Sequence, residues 1–287
     1  MDKINRIAPL DHSYLQILEC LADTPKTVYY RGVLPTERRP TVAIVGTRKP
    51  TSYGREVTMK LAGDLARQGV VIVSGLALGV DAIAHQAALD AGGTTIAVQA
   101  NGLHRIYPAT NNKLADLILQ NSGAILSEHD VGVEPMQYRF LERNRIVSGL
   151  ADAIIITEAA ARSGTLNTAA HALNQGKDLY VVPGNITSPL SAGCNLLLRQ
   201  GAMPILEAND ILSVLLPVNS VNNQKALPIG STELENQIIK AISSGVRDGD
   251  EIIAQLQTTP AEFNTALTML EINGVIKPLG GNRWTLD

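Results

Sequence analysis

The sequence lacks the features that mark membrane-spanning, secreted and disulfide-linked proteins. No run reaches about 18 consecutive apolar residues, and the first residues, MDKINRIAPLDHS, lack the apolar core of a signal peptide. Its two cysteines, Cys20 and Cys194, are too few for a disulfide framework and lack the spacing of metal ligands. We therefore expect a globular cytoplasmic protein with reduced thiols and no metal site.

Cationic and aromatic residues are also scarce. The net charge is −3, so any site for a polyanion must come from local clustering of basic side chains. Aromatic residues make up 3% of the 287 residues, and only two of them are phenylalanines. The position of each phenylalanine is therefore informative.

Between residues 40 and 216, short β-branched runs alternate with amphipathic helical stretches. The predicted strands are 41–46, 70–75, 94–99, 124–128, 153–158 and 179–184. Apolar strands separated by helices indicate a parallel sheet covered on both faces. We predict a doubly wound, Rossmann-like α/β domain over 40–216, preceded by a short N-terminal extension over 1–39.

The last part of the chain has a different pattern. Residues 217–230, PVNSVNNQKALPIG, are typical of a linker. Three helices and a glycine-turned hairpin over 231–287 predict a winged-helix domain, with Thr259 as an N-cap, Glu262 three residues on and Pro260 at the first helical position. From residue 231 on, the chain has four basic and eight acidic residues, a net charge of −4. The predicted recognition helix, 260–273, contains no lysine or arginine. We expect this domain to bind a protein or to assist DNA binding weakly; a solvated stabilising appendage is the alternative.

The first predicted strand runs into GTRKPTSYG, which has the composition of an anion site. Gly46 lets the backbone approach a ligand, Thr47 and Ser52 can donate hydrogen bonds, and Arg48 can pair with a phosphate. The helix that follows offers its positive N-terminal end. A capping loop without a ligand is the alternative.

The loops after the other strands carry further polar residues. After the second strand, Asp81 opens a helix as a cap or dipole partner, and His85 is more often packed or on the surface than catalytic. After the fifth strand, Ser163, Gly164 and Thr165 lead into another helix, a second N-terminal end suited to an anion, and Asn167 and Thr168 are expected to reach the same ligand. Lys177 ends this helix. Several anion donors at one sheet edge suit an extended polyanion better than a mononucleotide.

A long loop is predicted after the fourth strand, HDVGVEPMQYRFLERNRIVSG. Its arginines are interleaved with Tyr138 and Phe140: Arg139, Arg143 and Arg145. Basic residues among aromatic rings are typical of surfaces that hold single-stranded nucleic acid, because guanidinium groups pair with phosphates and rings stack on bases. A core position for Phe140 under the loop is the alternative.

Taken in order, six stretches of the chain resemble the DprA/Smf family, the DNA-processing proteins of bacterial natural transformation. The stretches are VAIVGTR, VSGLALGVDAIAH, GLHRIYP, FLERNRIVSGLADAIIITEA, SGTLNTA and PGNITSPLSAGCNLLLRQGA. The resemblance runs from about residue 29 to residue 216. It implies an extended Rossmann fold, binding of single-stranded DNA, dimerisation and loading of the RecA recombinase, without catalysis and without a cofactor.

The resemblance also implies DNA-binding roles for particular residues. Gly46, Thr47 and Arg48 match the phosphate-gripping motif, and Phe140 matches the position that stacks a base. The remaining implied contacts are Arg143, Asn144, Arg145, Ser163, Gly164, Thr165 and, by its place after QG, Lys177. Glu142 departs from the family pattern by adding a negative charge beside the proposed groove.

Two other functions are weighed against DNA binding. A phosphoribohydrolase of the lysine-decarboxylase-like type would carry PGGxGTxxE, whereas this chain has SGTLNTA and only Glu158 as a candidate acid. Dinucleotide binding would need GxGxxG after the first strand, which GTRKPTSYG does not supply.

A homodimer interface is expected over 195–206, because Leu196, Leu197 and Leu198 point around a helix and cannot all face one core.

Overall fold

A computed structural model of the protein describes residues 3–216, 232–244, 246–278 and 281–286. The chain divides into two compact units, Met1–Pro217 and Val218–Asp287. The predicted linker, 217–230, lies outside the described residues. The limits of the predicted domains remain predictions.

The first unit is built on a nine-stranded sheet. Its strands are β1 (Asn5–Ile7), β2 (Val28–Gly32), β3 (Thr41–Val45), β4 (Val71–Ser74), β5 (Thr95–Val98), β6 (Ala124–Ser127), β7 (Ala153–Ile156), β8 (Asp178–Val181) and β9 (Met203–Pro204). Its α-helices are α1 (Ser52–Arg67), α2 (Val80–Asp90), α3 (Asn112–Gln120), α4 (Gln137–Leu150), α5 (Thr165–Asn174), α6 (Ala192–Arg199) and α7 (Asn209–Leu215).

The order of the strands confirms the predicted doubly wound fold. It is β1-β2-β6-β5-β4-β3-β7-β8-β9, and all neighbours from β6 to β9 are parallel. The chain winds outward from β3 through β4, β5 and β6, then returns to the other side of β3 with β7. The carboxyl ends of β3 and β7 therefore flank a switch point, where ligands bind in open parallel sheets.

Both faces of the central sheet are buried, which explains why its parallel strands are mainly apolar, with buried hydroxyl residues such as Ser74 and Thr95 among them. In β3, Ala43 and Val45 face one core, which includes Ile146 and Val147 of α4. Val42 and Ile44 face the other core, which includes residues of α1 and α2. Alternate side chains of one strand thus fill two separate layers.

The segment before residue 40 contributes to the same sheet. β1 pairs antiparallel with β2, and β2 pairs antiparallel with β6. Tyr14 is completely buried, and its hydroxyl lies 3.1 Å from the Thr41 hydroxyl. Burial raises the pKa of Tyr14 to about 12. These contacts anchor the segment on the first strand of the Rossmann-like region.

The three leucines at 196–198 are not all buried, as expected for successive positions around a helix, and the homodimer interface over 195–206 stays a prediction. Leu197 is buried, and Leu196 and Leu198 are partly buried, with Leu198 packed against the first core. In the described part of 195–206, the exposed large apolar side chains are Met203 and Leu206.

The second unit has the predicted winged-helix elements: α8 (Glu233–Ser243), α9 (Gly249–Leu256), α10 (Pro260–Ile272), β10 (Ile276–Pro278) and β11 (Trp284–Leu286). Thr259 and Glu262 form the predicted capping box at the start of α10, with Pro260 at the first helical position. Phe263 lies in the core of this unit and meets Trp284 edge-on, with ring centroids 6.2 Å apart.

His85 is packed inside the first unit rather than placed in a site. It is completely buried, and its Nδ1 lies 2.6 Å from the Thr95 hydroxyl. Burial, together with the nearby Arg143 guanidinium, lowers the pKa of His85 to about 3. Since the unfolded chain takes up this proton near pH 6.5, stability contributed by neutral His85 is present above that pH and is lost as the pH falls toward 3.

Replacing His85 with Asn should therefore flatten the acid side of the stability profile. Between about pH 6 and pH 4, the free energy of unfolding of the wild type should fall more steeply than that of His85→Asn, by about 1.4 kcal/mol per pH unit. Urea unfolding of both proteins at several pH values measures this difference, and the comparison cancels the contributions of other groups. Parallel profiles would contradict the assignment.

Candidate nucleic-acid interface

A cavity of about 650 Å³ opens at the carboxyl ends of the central strands. Nine of the twelve predicted DNA-binding residues line it: Gly46, Thr47, Arg48, Phe140, Arg143, Asn144, Ser163, Gly164 and Thr165. Ser52, Arg145 and Lys177 do not line it. The cavity therefore brings together loops that follow β3 and β7 and the beginning of α4, which are far apart in the sequence.

The loop after β3 is fixed by close backbone contacts. The Thr47 N–H donates to the Glu158 carbonyl at 2.8 Å, and the Val80 N–H donates to the Thr47 carbonyl at 3.1 Å. Gly79 has a φ of +80°, and a Cβ there would lie 2.4 Å from the Thr47 oxygen. Only glycine lets the start of α2 approach this loop so closely, so the loop is held in place before any ligand binds.

Arg48 supplies the exposed positive charge of the cavity. Its guanidinium carbon lies 5.7 Å from the centroid of the Phe140 ring, a cation–π distance. The Phe140 ring is partly buried, and its centroid lies 5.6 Å from that of Tyr107. A cation and two aromatic rings thus meet on one wall, next to the hydroxyl groups of Thr47, Ser163 and Thr165.

The predicted loop around Phe140 is wrong, because α4 begins at Gln137. The helix buries Arg143, Ile146, Val147 and Leu150, at the i, i+3, i+4 and i+7 spacing of a buried helix face. Because the first of these buried positions is an arginine, the sequence does not show the regular spacing of apolar residues that would have predicted the helix. Because α4 is a helix, Phe140 and Asn144 share the face that lines the cavity.

Arg143 is buried and bonded within the protein, whereas the resemblance implied that it contacts DNA. Its side chain is 4% exposed, and Nη1 donates to the carbonyls of Gly75, at 2.6 Å, and Val98. Asp81 accepts the N–H groups of Gly75 and Ala77 at 3.1 and 3.3 Å. Burial raises the pKa of Asp81 and lowers that of Arg143, while the attraction between the two groups opposes both shifts. Arg143 thus joins the ends of β4 and β5 beneath the cavity.

Arg145 and Lys177 lie elsewhere. Arg145 is directed away from the cavity, where it pairs with Asp23 at 3.1 Å and Glu128 at 2.6 Å. Lys177 immediately precedes β8, so it lies at the amino edge of the parallel sheet, opposite the cavity. Burial lowers the pKa of Lys177, against the attraction of Asp152. The expectation that Lys177 faces the same groove is therefore wrong.

The N-terminal end of α1 already holds an internal anion. The Glu158 carboxylate accepts the Thr51 N–H at 2.8 Å and the Thr51 hydroxyl at 2.7 Å, and Glu158 is 2% exposed. The Thr51 hydroxyl in turn accepts the Gly54 N–H at 3.1 Å. Ser52, in the first turn of this helix, is exposed but does not line the cavity. The sequence did not reveal that Glu158 binds the start of α1, because Glu158 follows β7, more than a hundred residues away.

The turn before α5 has room for a ligand. A Cβ built on Gly164 meets nothing within 4 Å, and Gly164 has ordinary right-handed dihedral angles, φ −59° and ψ −20°. The Ser163 hydroxyl lies 3.0 Å from that of Thr165. The Asn144 amide, on the cavity wall, donates to the side-chain oxygen of Asn167 in α5 at 3.1 Å. This side of the cavity is therefore open, polar and uncharged.

Sequence reasoning missed several cavity residues. Tyr107 appeared only within a motif, and Asp81 only as a helix cap or dipole partner. Neither was predicted to contact DNA, and both line the cavity. Tyr107 lies in GLHRIYP, which follows β5, so its place after a parallel strand was an available signal. Thr168, which was expected to reach the same ligand, does line the cavity.

The described residues contain no group of three or more His, Cys, Asp or Glu side chains arranged to hold a metal ion. None of the helices described is both long and apolar enough to cross a membrane.

The fold and site define a Rossmann-like α/β protein with a winged helix and a cationic, aromatic cavity at its switch point. The family model described as DNA recombination-mediator protein A matches residues 5–216, and the DprA winged helix domain matches residues 223–282. The chain belongs to the DprA family of DNA processing proteins.

Several relatives are about 40% identical to this chain over the aligned residues. The DNA processing protein DprA of Bacillus subtilis is 40% identical over 215 residues, which cover 74% of this chain and 71% of the relative. Relatives from Mycobacterium tuberculosis are 39% identical over 249 residues; the match covers 85% of this chain but only 64% of their length.

Two solved structures share the fold at substantial identity. DprA of Streptococcus pneumoniae matches with a TM-score of 0.69 and 38% identity, over 74% of this chain and 75% of that one. DNA processing protein A of Helicobacter pylori, whose structure concerns its single-stranded DNA binding mode, matches with a TM-score of 0.65 and 36% identity. The match covers 75% of this chain and 98% of that one.

Proposed function

We propose that this protein binds single-stranded DNA through the cavity, without cleaving it. The observation that carries the proposal is the meeting of exposed Arg48, the Phe140 ring and the hydroxyl-rich turn at Ser163–Thr165 on one cavity. Cations that pair with phosphates and rings that stack on bases are what a single strand requires. The single-stranded DNA binding of the Helicobacter pylori relative, which shares the fold, supports the same conclusion.

We further propose that the protein is a cytoplasmic homodimer that protects incoming DNA and loads the RecA recombinase during natural transformation or homologous recombination. This part of the proposal rests on family membership. Its test is the rate at which RecA assembles on a single strand covered by single-strand-binding protein, with and without this protein. An unchanged rate would contradict RecA loading while leaving DNA binding intact.

The alternative, a phosphoribohydrolase, is not favoured by the site. Its candidate acid, Glu158, is 2% exposed and engaged by the N–H and hydroxyl of Thr51, so it serves as an internal cap for the loop before α1. A general acid must instead reach the leaving group of a bound substrate.

Arg48→Ala should reduce the salt dependence of DNA binding. If Arg48 pairs with one phosphate, the slope of log Kd against log salt for oligo-dT should become shallower by about 0.7. Fluorescence anisotropy across a salt series measures this slope. Arg67→Ala is the matched control, because Arg67 is an exposed arginine at the far end of α1, paired with Asp64. Equal slopes for both variants, or no binding by the wild type at low salt, would refute the proposal.

Gly164→Asp should weaken DNA binding without affecting the fold. A side chain at this position enters open space on the cavity wall, so the new carboxylate would repel a phosphate by about 1–4 kcal/mol at low salt. Gly164→Asn is the uncharged control of the same size and should bind nearly as the wild type does. Because screening weakens the repulsion, the difference between the two variants should shrink at high salt. A similar loss for Asn and Asp would show a steric effect instead.

A further inference from the structure

Tyr107 presents an aromatic ring on the cavity wall. The side chain is 42% exposed, although aromatic residues are scarce in this chain. Its ring centroid lies 5.6 Å from that of Phe140, with the two planes inclined by 50°. The two rings therefore form a wedge beside Arg48 rather than a closed stack.

The two rings of this wedge differ in what already covers them. The guanidinium carbons of Arg48 and Arg143 lie 5.7 and 6.0 Å from the Phe140 centroid. Among the described residues, no guanidinium lies over the Tyr107 ring. Tyr107 therefore offers ring surface that internal cations do not occupy.

Buried amides hold Tyr107 in position. The Tyr107 N–H donates to the side-chain oxygen of Gln99 at 2.9 Å, and Gln99 is 1% exposed. The Asn101 side chain, completely buried, donates to the carbonyls of Gly102 and Arg105 at 2.9 and 3.0 Å. The loop that carries the ring is thus fixed from inside the protein, which lowers the entropic cost of using it to bind a ligand.

We propose that Tyr107 stacks on a nucleobase of the bound strand and so forms, with Phe140, a base-binding subsite next to the Arg48 phosphate contact. This inference rests on the proposed function. An exposed, rigid ring beside a cation matches the platforms that hold single strands regardless of sequence, because every base has a π-face. Tyr107 does not need its hydroxyl for this role.

The test compares strands with and without bases. Fluorescence anisotropy is measured with labelled oligo-dT and with an abasic deoxyribose-phosphate strand of equal length, for the wild type, Tyr107→Leu and Tyr107→Phe. Tyr138→Leu is the control, since Tyr138 is 51% exposed but does not line the cavity. Thermal unfolding of each variant shows whether it is folded.

Tyr107→Leu should weaken oligo-dT binding about 5- to 150-fold and leave the abasic strand unaffected, while Tyr107→Phe and Tyr138→Leu bind as the wild type does. An equal loss on both strands would make Tyr107 structural, and no loss on oligo-dT would remove it from the subsite. Failure of the proposed function gives a different result. In that case the wild type does not bind oligo-dT or the abasic strand, or its binding of them does not depend on Arg48.

Discussion

Replacing Arg143 with methionine is expected to lower the free energy of unfolding by about 3–5 kcal/mol. The guanidinium is buried, donates to the carbonyls of Gly75 and Val98, and faces the buried Asp81. Methionine fills much of the volume but leaves both carbonyls without this donor and Asp81 without the attraction of the guanidinium. Chemical unfolding monitored by circular dichroism measures the change.

Two further variants separate the causes of this loss. Arg48→Met removes an exposed arginine and should change the stability by no more than about 0.5 kcal/mol. Adding Asp81→Asn to Arg143→Met should recover part of the loss, because it removes the carboxylate that lacks its cation. An Arg143→Met protein as stable as Arg48→Met would contradict the structural role and return Arg143 to the candidates for phosphate binding.

Replacing Phe140 with alanine is expected to weaken binding of single-stranded DNA by about 1–3 kcal/mol. The ring lines the cavity, partly buried, between Tyr107 and Arg48, so its removal takes away a stacking surface and the cation–π partner of Arg48. The measurement is anisotropy with oligo-dT at fixed salt.

Controls at the same helix distinguish the ring from its bulk. Phe140→Leu keeps most of the apolar volume and should lose nearly as much affinity as Phe140→Ala. Leu141→Ala removes a neighbouring side chain that also lines the cavity but carries no ring, and it should bind nearly as the wild type does. Unchanged binding by a folded Phe140→Ala protein would exclude Phe140 from the site.

The central sheet could be predicted from the sequence with little error. The strand predicted over 41–46 is Thr41–Val45, and that over 153–158 is Ala153–Ile156. A strand buried on both faces is apolar at most positions, so its composition distinguishes it from the amphipathic helices around it. The capping box of α10 could be predicted for a similar reason, since its partners are only three residues apart.

The sequence predicted a loop where α4 begins, because the buried face of this helix includes a charged residue. Arg143 stands where an apolar residue would complete the helical period, and Gly75 and Val98, which accept its hydrogen bonds, are distant in sequence. Local patterns carry no information about such partners. The same limit applies to the loop before α1, whose internal anion, Glu158, comes from the end of another strand.

The sequence by itself determined the alternation of strands and helices, the winged helix and the family, because these depend on local periodicity and on motifs in order. Only the tertiary structure decided which cations remain available for a ligand. Arg48, Arg143, Arg145 and Lys177 look equivalent along the chain. Folding buries Arg143 against backbone carbonyls, pairs Arg145 with two carboxylates and puts Lys177 at the opposite edge of the sheet, so that Arg48 alone of these four offers an exposed charge to the cavity.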